Sequence, residues 1–264
     1  MRKPSTIVLL GLLTVFLAFS SPAALAATVT VGATPVPHAE ILAVAAPLLE
    51  QQGITLRIME FNDYVTPNRA LAEGELDANF FQHQPYLDTY NADAGTNIVS
   101  LVGIHIEPLG VYSSKLDALA DLPRGARIAI PNDPTNGGRA LLLLQAAGLI
   151  KVDPETGIQP TVFDITDNPN QLRFIELEAA QLTRSLPDVD AAVINGNYAL
   201  VAGMVPTRDA LFLEGSQSPY VNILAVRPED KDNPALAALA EALTSPEVRD
   251  FILETYGGSV VPVF

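Results

Sequence analysis

Gly74-Glu75-Leu76-Asp77-Ala78-Asn79-Phe80-Phe81 has a second copy, in outline, at Pro187-Asp188-Val189-Asp190-Ala191-Ala192-Val193-Ile194. Each copy closes a helical stretch, steps through Asp-Ala into an apolar strand, and runs into a polar loop carrying an aromatic. The loops are Gln82 to Tyr86 and Asn195 to Tyr198. The copies lie 113 residues apart. A solenoid repeats every ~20–50 residues, so this spacing points instead to two similar lobes. On either side of these segments, short strand-like runs alternate with longer helical ones. Strands are expected at 28–32, 55–61, 78–81, 126–130, 162–165 and 191–194. Helices are expected at 38–52, 67–74 and 139–149. Such alternation predicts α/β units with parallel strands. Ligands of open α/β sheets bind beyond the carboxyl ends of the strands, which is where both loops fall.

Two extended stretches look like crossings between the lobes. His105 to Tyr112 carries Pro108 and Gly110 inside an apolar run, and Ser218 to Val226 is similar. The last stretch, Pro234 to Tyr256, reads as largely helical and returns to the first lobe. The expected division is 27–109 plus 223–264 for one lobe and 110–222 for the other, with a cleft between them.

The N-terminus sets the expected compartment. Arg2 and Lys3 precede an uncharged apolar run, Ile7 to Ala18, and Ala24-Leu25-Ala26 has the small-x-small form of a signal-peptidase site. Residues 1–26 thus read as a secretory signal peptide. The run is short of the ~20 residues that a membrane span needs. From Ala27 onward the formal charge is −17, because Arg2 and Lys3 are the only charges removed from a chain of −15. Such a chain should repel nucleic acid and anionic lipid. There is no cysteine. That excludes a thiol nucleophile and a Cys-based metal site, and leaves no thiol to carry a lipid after the signal. The mature protein is therefore expected to be exported, soluble and periplasmic.

The candidate chemistry lies at the strand ends. Phe81 and His83, two apart on an extended segment, point to one side; Tyr86 follows Pro85, and Tyr64 follows another strand. Together they would line an apolar slot, and ring edges suit a thioether sulfur. Phe80 faces the opposite way, into the core. Pro131 to Arg139 joins a strand to a helix. Gly137 and Gly138 would allow an anion close to the helix start, and Arg139 offers a planar fork for a carboxylate. Asn195, Asn197 and Asn222 supply amides that both donate and accept, as a zwitterion needs; Asn197 is the weakest of these candidates. The three histidines, His38, His83 and His105, have no metal-ligand spacing, and the hydrolase motifs GxSxG and SxxK are absent. His38 reads as a capping or packing residue. No metal or cofactor is expected. The alternative to a binding protein is an exported hydrolase or transferase using His83 and a nearby aspartate.

Several motifs in order carry a family resemblance: Gly32-Ala33-Thr34-Pro35 with Pro37 to Leu42, Phe61-Asn62-Asp63-Tyr64, Asp77 to His83, Ile130 to Asn136, and Ser218 to Asn222. They resemble the NlpA/MetQ family, the methionine-type substrate-binding proteins of ABC importers. The resemblance covers nearly all of the chain after residue 26. It implies a two-lobed periplasmic-binding-protein fold (type II-like) that is not an enzyme. The implied ligand is methionine or a related small amino acid, and the implied partners are a permease and its ATPase, served by a monomer. It places the aromatic side-chain pocket on Tyr64, Phe81, His83 and Tyr86, the carboxylate-binding arginine on Arg139, and the contacts to the amino-acid backbone on Asn195 and Asn222. Many members carry a lipidated cysteine after the signal, and here this chain departs from the family.

Overall fold

A computed structural model describes residues 27–215 and 218–264. The expected signal peptide, residues 1–26, lies outside the described residues. In chain order the strands are β1 (Ala27–Ala33), β2 (Ile54–Glu60), β3 (Ala78–His83), β4 (Val99–Ile106), β5 (Gly110–Tyr112), β6 (Arg127–Pro131), β7 (Lys151–Val152), β8 (Ile165–Asp167), β9 (Arg173–Leu177), β10 (Ala191–Ile194), β11 (Phe212–Leu213), β12 (Val221–Val226) and β13 (Val261–Pro262). The helices are α1 (Glu40–Glu50), α2 (Thr66–Ala72), α3 (Gln84–Ala94), α4 (Pro134–Ala146), α5 (Leu182–Ser185), α6 (Gly196–Val201), α7 (Pro206–Asp209), α8 (Pro234–Leu243) and α9 (Pro246–Tyr256).

The strands form two main sheets built on one plan. The first runs β13-β4-β12-β3-β1-β2 and the second β11-β5-β10-β6-β9. In the first, β1 pairs in parallel with β2 and β3, and β12 enters antiparallel between β3 and β4. In the second, β6 pairs in parallel with β9 and β10, and β5 lies antiparallel against β10. So β3 and β10 hold equivalent places, each next to an antiparallel strand at the crossing between lobes. The two-lobed α/β architecture expected from the sequence is the one observed.

The Asp-Ala echo has a physical origin. Asp77 Oδ2 accepts from the Thr30 backbone N–H at 2.7 Å, and Asp77 N–H donates to Thr30 O at 2.9 Å. Asp190 repeats both bonds with Arg127, again at 2.7 and 2.9 Å. In each lobe one aspartate pins the start of one strand to a parallel neighbour, β3 to β1 and β10 to β6, and so sets where that strand's carboxyl end emerges.

Each sheet is covered by helices along an apolar face. Val31, Phe80 and Leu224 pack with Leu42 and Leu49 of α1, Leu239 of α8 and Ile252 of α9. The C-terminal helices therefore do return to the first sheet. Ile128, Ile130 and Val193 pack with Leu141 and Leu144 of α4 in the second. Among the described residues, no helix is long and apolar enough to cross a membrane.

Three local expectations are corrected. Residues 162–165 are not a sheet strand. Val162–Asp164 is a 3-10 turn because the Asp164 carboxylate folds back onto the Thr161 N–H and hydroxyl, and β8 pairs only with β7. The strand beside β6 is instead β9. The helix expected from His38 is a single wide turn, Pro35–Ala39, followed by α1 from Glu40. The helix expected from Arg139 begins at Pro134. Its start is closed by Asp133, whose side chain accepts from Asn136 N–H. With that cap in place the helix start is not open to an anion. Gly137 and Gly138 serve packing: a Cβ on Gly138 would lie 2.8 Å from the Gln159 Cα, and one on Gly137 2.9 Å from the Pro131 carbonyl oxygen.

Candidate ligand-binding site

The ends of β3 and β10 face each other across a narrow cavity. All seven residues singled out from the sequence line it: Tyr64, Phe81, His83, Tyr86, Arg139, Asn195 and Asn222. Gln82, Glu107, Gly196 and Asn197 line it as well. A register shift explains why three consecutive residues of β3 reach the same space. Phe80 pairs with Leu224 but Gln82 with Ile223, so Phe81 is the extra residue of a bulge. Bulges re-aim side chains. Phe80 stays in the core, fully buried, with its ring against His38 and His105.

One wall is aromatic. The Tyr64 ring lies 6.0 Å from Phe81 and 5.9 Å from Tyr86, and Phe81 lies 6.1 Å from Tyr86. Tyr86 hydroxyl donates to Tyr64 O at 3.1 Å, which fixes the two rings. His83 belongs to this wall and has two structural bonds of its own. Its Nδ1 accepts from Tyr86 N–H at 3.1 Å, capping α3, so the ring proton sits on Nε2 and is donated to Asn136 Oδ1 at 3.0 Å. Burial, with the Arg139 charge adding to it, lowers the His83 pKa to about 3, so the ring is neutral at physiological pH. Among the described residues no aspartate bonds directly to this ring.

The opposite wall is polar, and each amide has one end already used. Asn195 Nδ2 donates to Asn136 Oδ1 at 2.9 Å, leaving Asn195 Oδ1 buried without a partner among the described residues. Asn197 Oδ1 accepts from Tyr64 hydroxyl at 2.6 Å, leaving its Nδ2 unpartnered. Asn222 Oδ1 sits 3.1 Å from His38 Nε2, which leaves the Asn222 N–H groups for the cavity. Buried amide ends without partners are rare and costly. Here one is an acceptor and one a donor, in the same cavity. Asn197, the weakest candidate by sequence, is thus as well placed as Asn195.

Arg139 is 3 % exposed, and most of its fork is occupied. Nε donates to Glu214 Oε1 at 3.0 Å, and Nη2 pairs with Glu214 Oε2 and donates to Glu107 O at 2.8 Å. The guanidinium carbon lies 4.3 Å from the Tyr220 ring centre. Most of the fork that would suit a ligand carboxylate is thus used within the protein, and among the described residues Nη1 has no hydrogen bond. No sequence signal points to Glu214, which is 75 residues away and follows the two-residue strand β11.

Glu107 was also missed. Its Oε1 lies 2.8 Å from His105 Nε2 and 3.3 Å from His38 Nε2, and the nearby Asn197 backbone N–H favours the ionised carboxylate. His38 Nδ1 in turn meets Thr34 Oγ1 at 2.7 Å. Packing alone does not describe His38. Burial raises the Glu107 pKa and lowers those of His38 and His105, to about 4 and about 3. One nitrogen from each histidine and a Glu107 oxygen lie within 4.8 Å of one another, a donor set that a divalent metal accepts. Sequence spacing could not reveal the whole set, since His38 comes from the turn before α1, His105 from the end of β4 and Glu107 from the crossing after it.

A family model described as NlpA lipoprotein matches residues 29–264. The chain belongs to the NlpA lipoprotein family. A relative in this family, the D-methionine-binding lipoprotein MetQ of Yersinia pestis, is 44 % identical over 214 residues, covering 80 % of this chain and 79 % of its own. A nutrient-binding protein from Burkholderia cenocepacia, solved bound to methionine, superposes with a TM-score of 0.87 at 50 % identity, covering 89 % of this chain and all of its own. A periplasmic substrate-binding protein of an ABC transporter from Coxiella burnetii gives 0.85 at 47 %, with the same coverage. The resemblance read from the motifs is therefore correct at the level of the family, and the chain has the two-lobed substrate-binding fold of its solved relatives.

Proposed function

We propose that this protein captures methionine, or a closely related amino acid, in the cavity between its lobes and delivers it to an ABC importer. The observation that carries the reading is the pairing of an unpartnered acceptor, Asn195 Oδ1, with an unpartnered donor, Asn197 Nδ2, in one buried cavity with an aromatic wall. A zwitterionic head satisfies both amides, and a thioether tail packs against Tyr64, Phe81, His83 and Tyr86. Asn195 accepts from the ligand ammonium. Asn222 and Asn197 donate to its carboxylate, with Nη1 of Arg139 as the charged partner. The methionine bound in the Burkholderia relative and the name of the Yersinia one support the same ligand class.

The working lobes are 27–109 with 223–264, and 110–222, apart from Val221 and Asn222, which pair in the first sheet as the start of β12. Closing them on the ligand shifts an open–closed equilibrium and forms the surface that the permease and its ATPase recognise. The protein acts as an exported, periplasmic monomer and performs no chemistry on its ligand. The relatives' names include lipoprotein, whereas this sequence has no cysteine to lipidate.

A thermal-shift panel of free amino acids, including both enantiomers of methionine and a methionyl dipeptide, tests the reading. A ligand at a hundred times its Kd adds about 2.7 kcal/mol of stability. Stabilisation by methionine without turnover is expected. Turnover of a substrate that is lost in His83→Ala, with no stabilisation by any amino acid, would favour the hydrolase instead.

A further inference from the structure

Glu107 is a buried carboxylate, 6 % exposed, at the edge of the cavity. A charge so placed needs a partner of opposite sign. The nearest permanent cation, Arg139, gives Glu107 only a bond to its backbone carbonyl and is itself paired with Glu214. His38 and His105 approach Oε1 with ring nitrogens, and both rings are wholly enclosed. Both rings are neutral: His105 Nε2–H donates to Oε1 at 2.8 Å, while the His38 Nε2–H bonds to Asn222 Oδ1 and the ring only flanks the carboxylate, so neither neutralises it. The nearby Asn197 backbone N–H favours the ionised form of the carboxylate. The other oxygen, Oε2, faces Gly196, where an added Cβ would come within 3.2 Å of it. The glycine keeps that side of the carboxylate clear, and Gly196 is itself part of the cavity lining.

We propose that Glu107, held by His105 Nε2–H and flanked by His38, is the anionic receptor for the ligand's primary ammonium group. The assignment rests on the amino-acid reading above and sharpens it. The site then selects for a free α-amino group and rejects N-acylated or deaminated analogues, whatever their side chain. Asn195 Oδ1, the buried acceptor without a partner, supplies a second bond to the same ammonium. His105 is a positioning residue: it holds Oε1, leaves Oε2 on the side of Gly196, and does not touch the ligand.

The test is a calorimetric cycle in the presence of a chelator. L-methionine and its deaminated counterpart, 4-(methylthio)butanoate, are titrated into wild-type protein and Glu107→Gln. A hydrogen bond to a charged group corresponds to about a 10- to 150-fold preference. Wild-type protein should prefer methionine by at least that range. Glu107→Gln should lose most of the preference while keeping its affinity for the deaminated acid within about threefold. If Glu107→Gln fails to fold, Gly196→Ala, which sets a methyl against the same carboxylate, should show the same selective loss. A variant that retains the wild-type preference, or loses affinity for both compounds equally, overturns the assignment. So does methionine binding that requires added zinc, since a metal would then be the missing cation. Wild-type protein that binds neither compound refutes the amino-acid reading itself, and this assignment with it.

Discussion

Replacing Arg139 separates two roles that the structure combines in one side chain. In Arg139→Ala the ligand carboxylate loses its charged donor. A hydrogen bond to a charged group contributes about 1.5–3 kcal/mol, which is about a 10- to 150-fold rise in Kd. Stability suffers as well, because Glu214 and the Glu107 carbonyl lose their partner. Breaking a fully buried pair costs about 3–5 kcal/mol. Glu214 is 16 % exposed and is followed by an exposed glycine, so it can turn towards water, and about 2 kcal/mol is expected. Tyr86→Phe is the control. It removes one neutral bond, Tyr86 hydroxyl to Tyr64 O, worth about 0.5–1.5 kcal/mol, and leaves the ring against the ligand. Calorimetric titration with L-methionine, alongside melting curves for each variant, should give a much larger affinity loss for Arg139→Ala. Equal and small losses would refute the carboxylate assignment. A loss in Glu214→Gln as large as in Arg139→Ala would show that the arginine serves only to hold Glu214.

Asp77→Ala and Asp190→Ala should each cost about 1–2 kcal/mol in denaturant unfolding, because each removes one acceptor from an otherwise identical backbone clasp; a cost confined to one of them would break the equivalence of the two lobes. Phe80→Ala removes a fully buried ring of the first-lobe core and should cost about 3–5 kcal/mol by the same measurement, and a loss below about 1 kcal/mol would contradict its placement. The histidines make the fold acid-sensitive. Their folded pKa values, about 4 for His38 and about 3 for His83 and His105, lie below the ordinary 6.5. The unfolded chain therefore binds more protons across that interval, and stability falls as pH drops below about 6.5, by up to ~1.4 kcal/mol per pH unit per histidine. The raised pKa of Glu107 opposes this in part. Melting temperatures that stay level from pH 7 to pH 5 would contradict the buried, neutral assignment of the rings.

The two-lobed fold was legible because strand-to-helix alternation and the Asp-Ala echo are local signals, and both arise from local physics. Asp77 and Asp190 bond to the neighbouring strand through backbone groups, so their positions before β3 and β10 survive in the sequence. The aromatic wall was legible for a related reason, since Phe81, His83 and Tyr86 fall within six residues of one chain segment. The apparent strand at 162–165 was misread because its apolar residues follow a threonine that Asp164 turns back upon. Arg139 was found but its neighbour was not: Glu214 reaches it only through the second sheet, by way of β11 and β5. Glu107, His38 and His105 are the clearest loss. Their meeting depends on where the crossing after β4 passes the turn before α1, and no spacing within the sequence encodes that.

Native mass spectrometry of the purified protein, followed by identification of what it releases on denaturation, tests the central claim most directly. The predicted result is one methionine, or a close amino-acid relative, per chain, either carried through purification or taken up on incubation with L-methionine. A released molecule lacking an α-amino or a carboxylate group would contradict the account. So would a protein that stays ligand-free after that incubation.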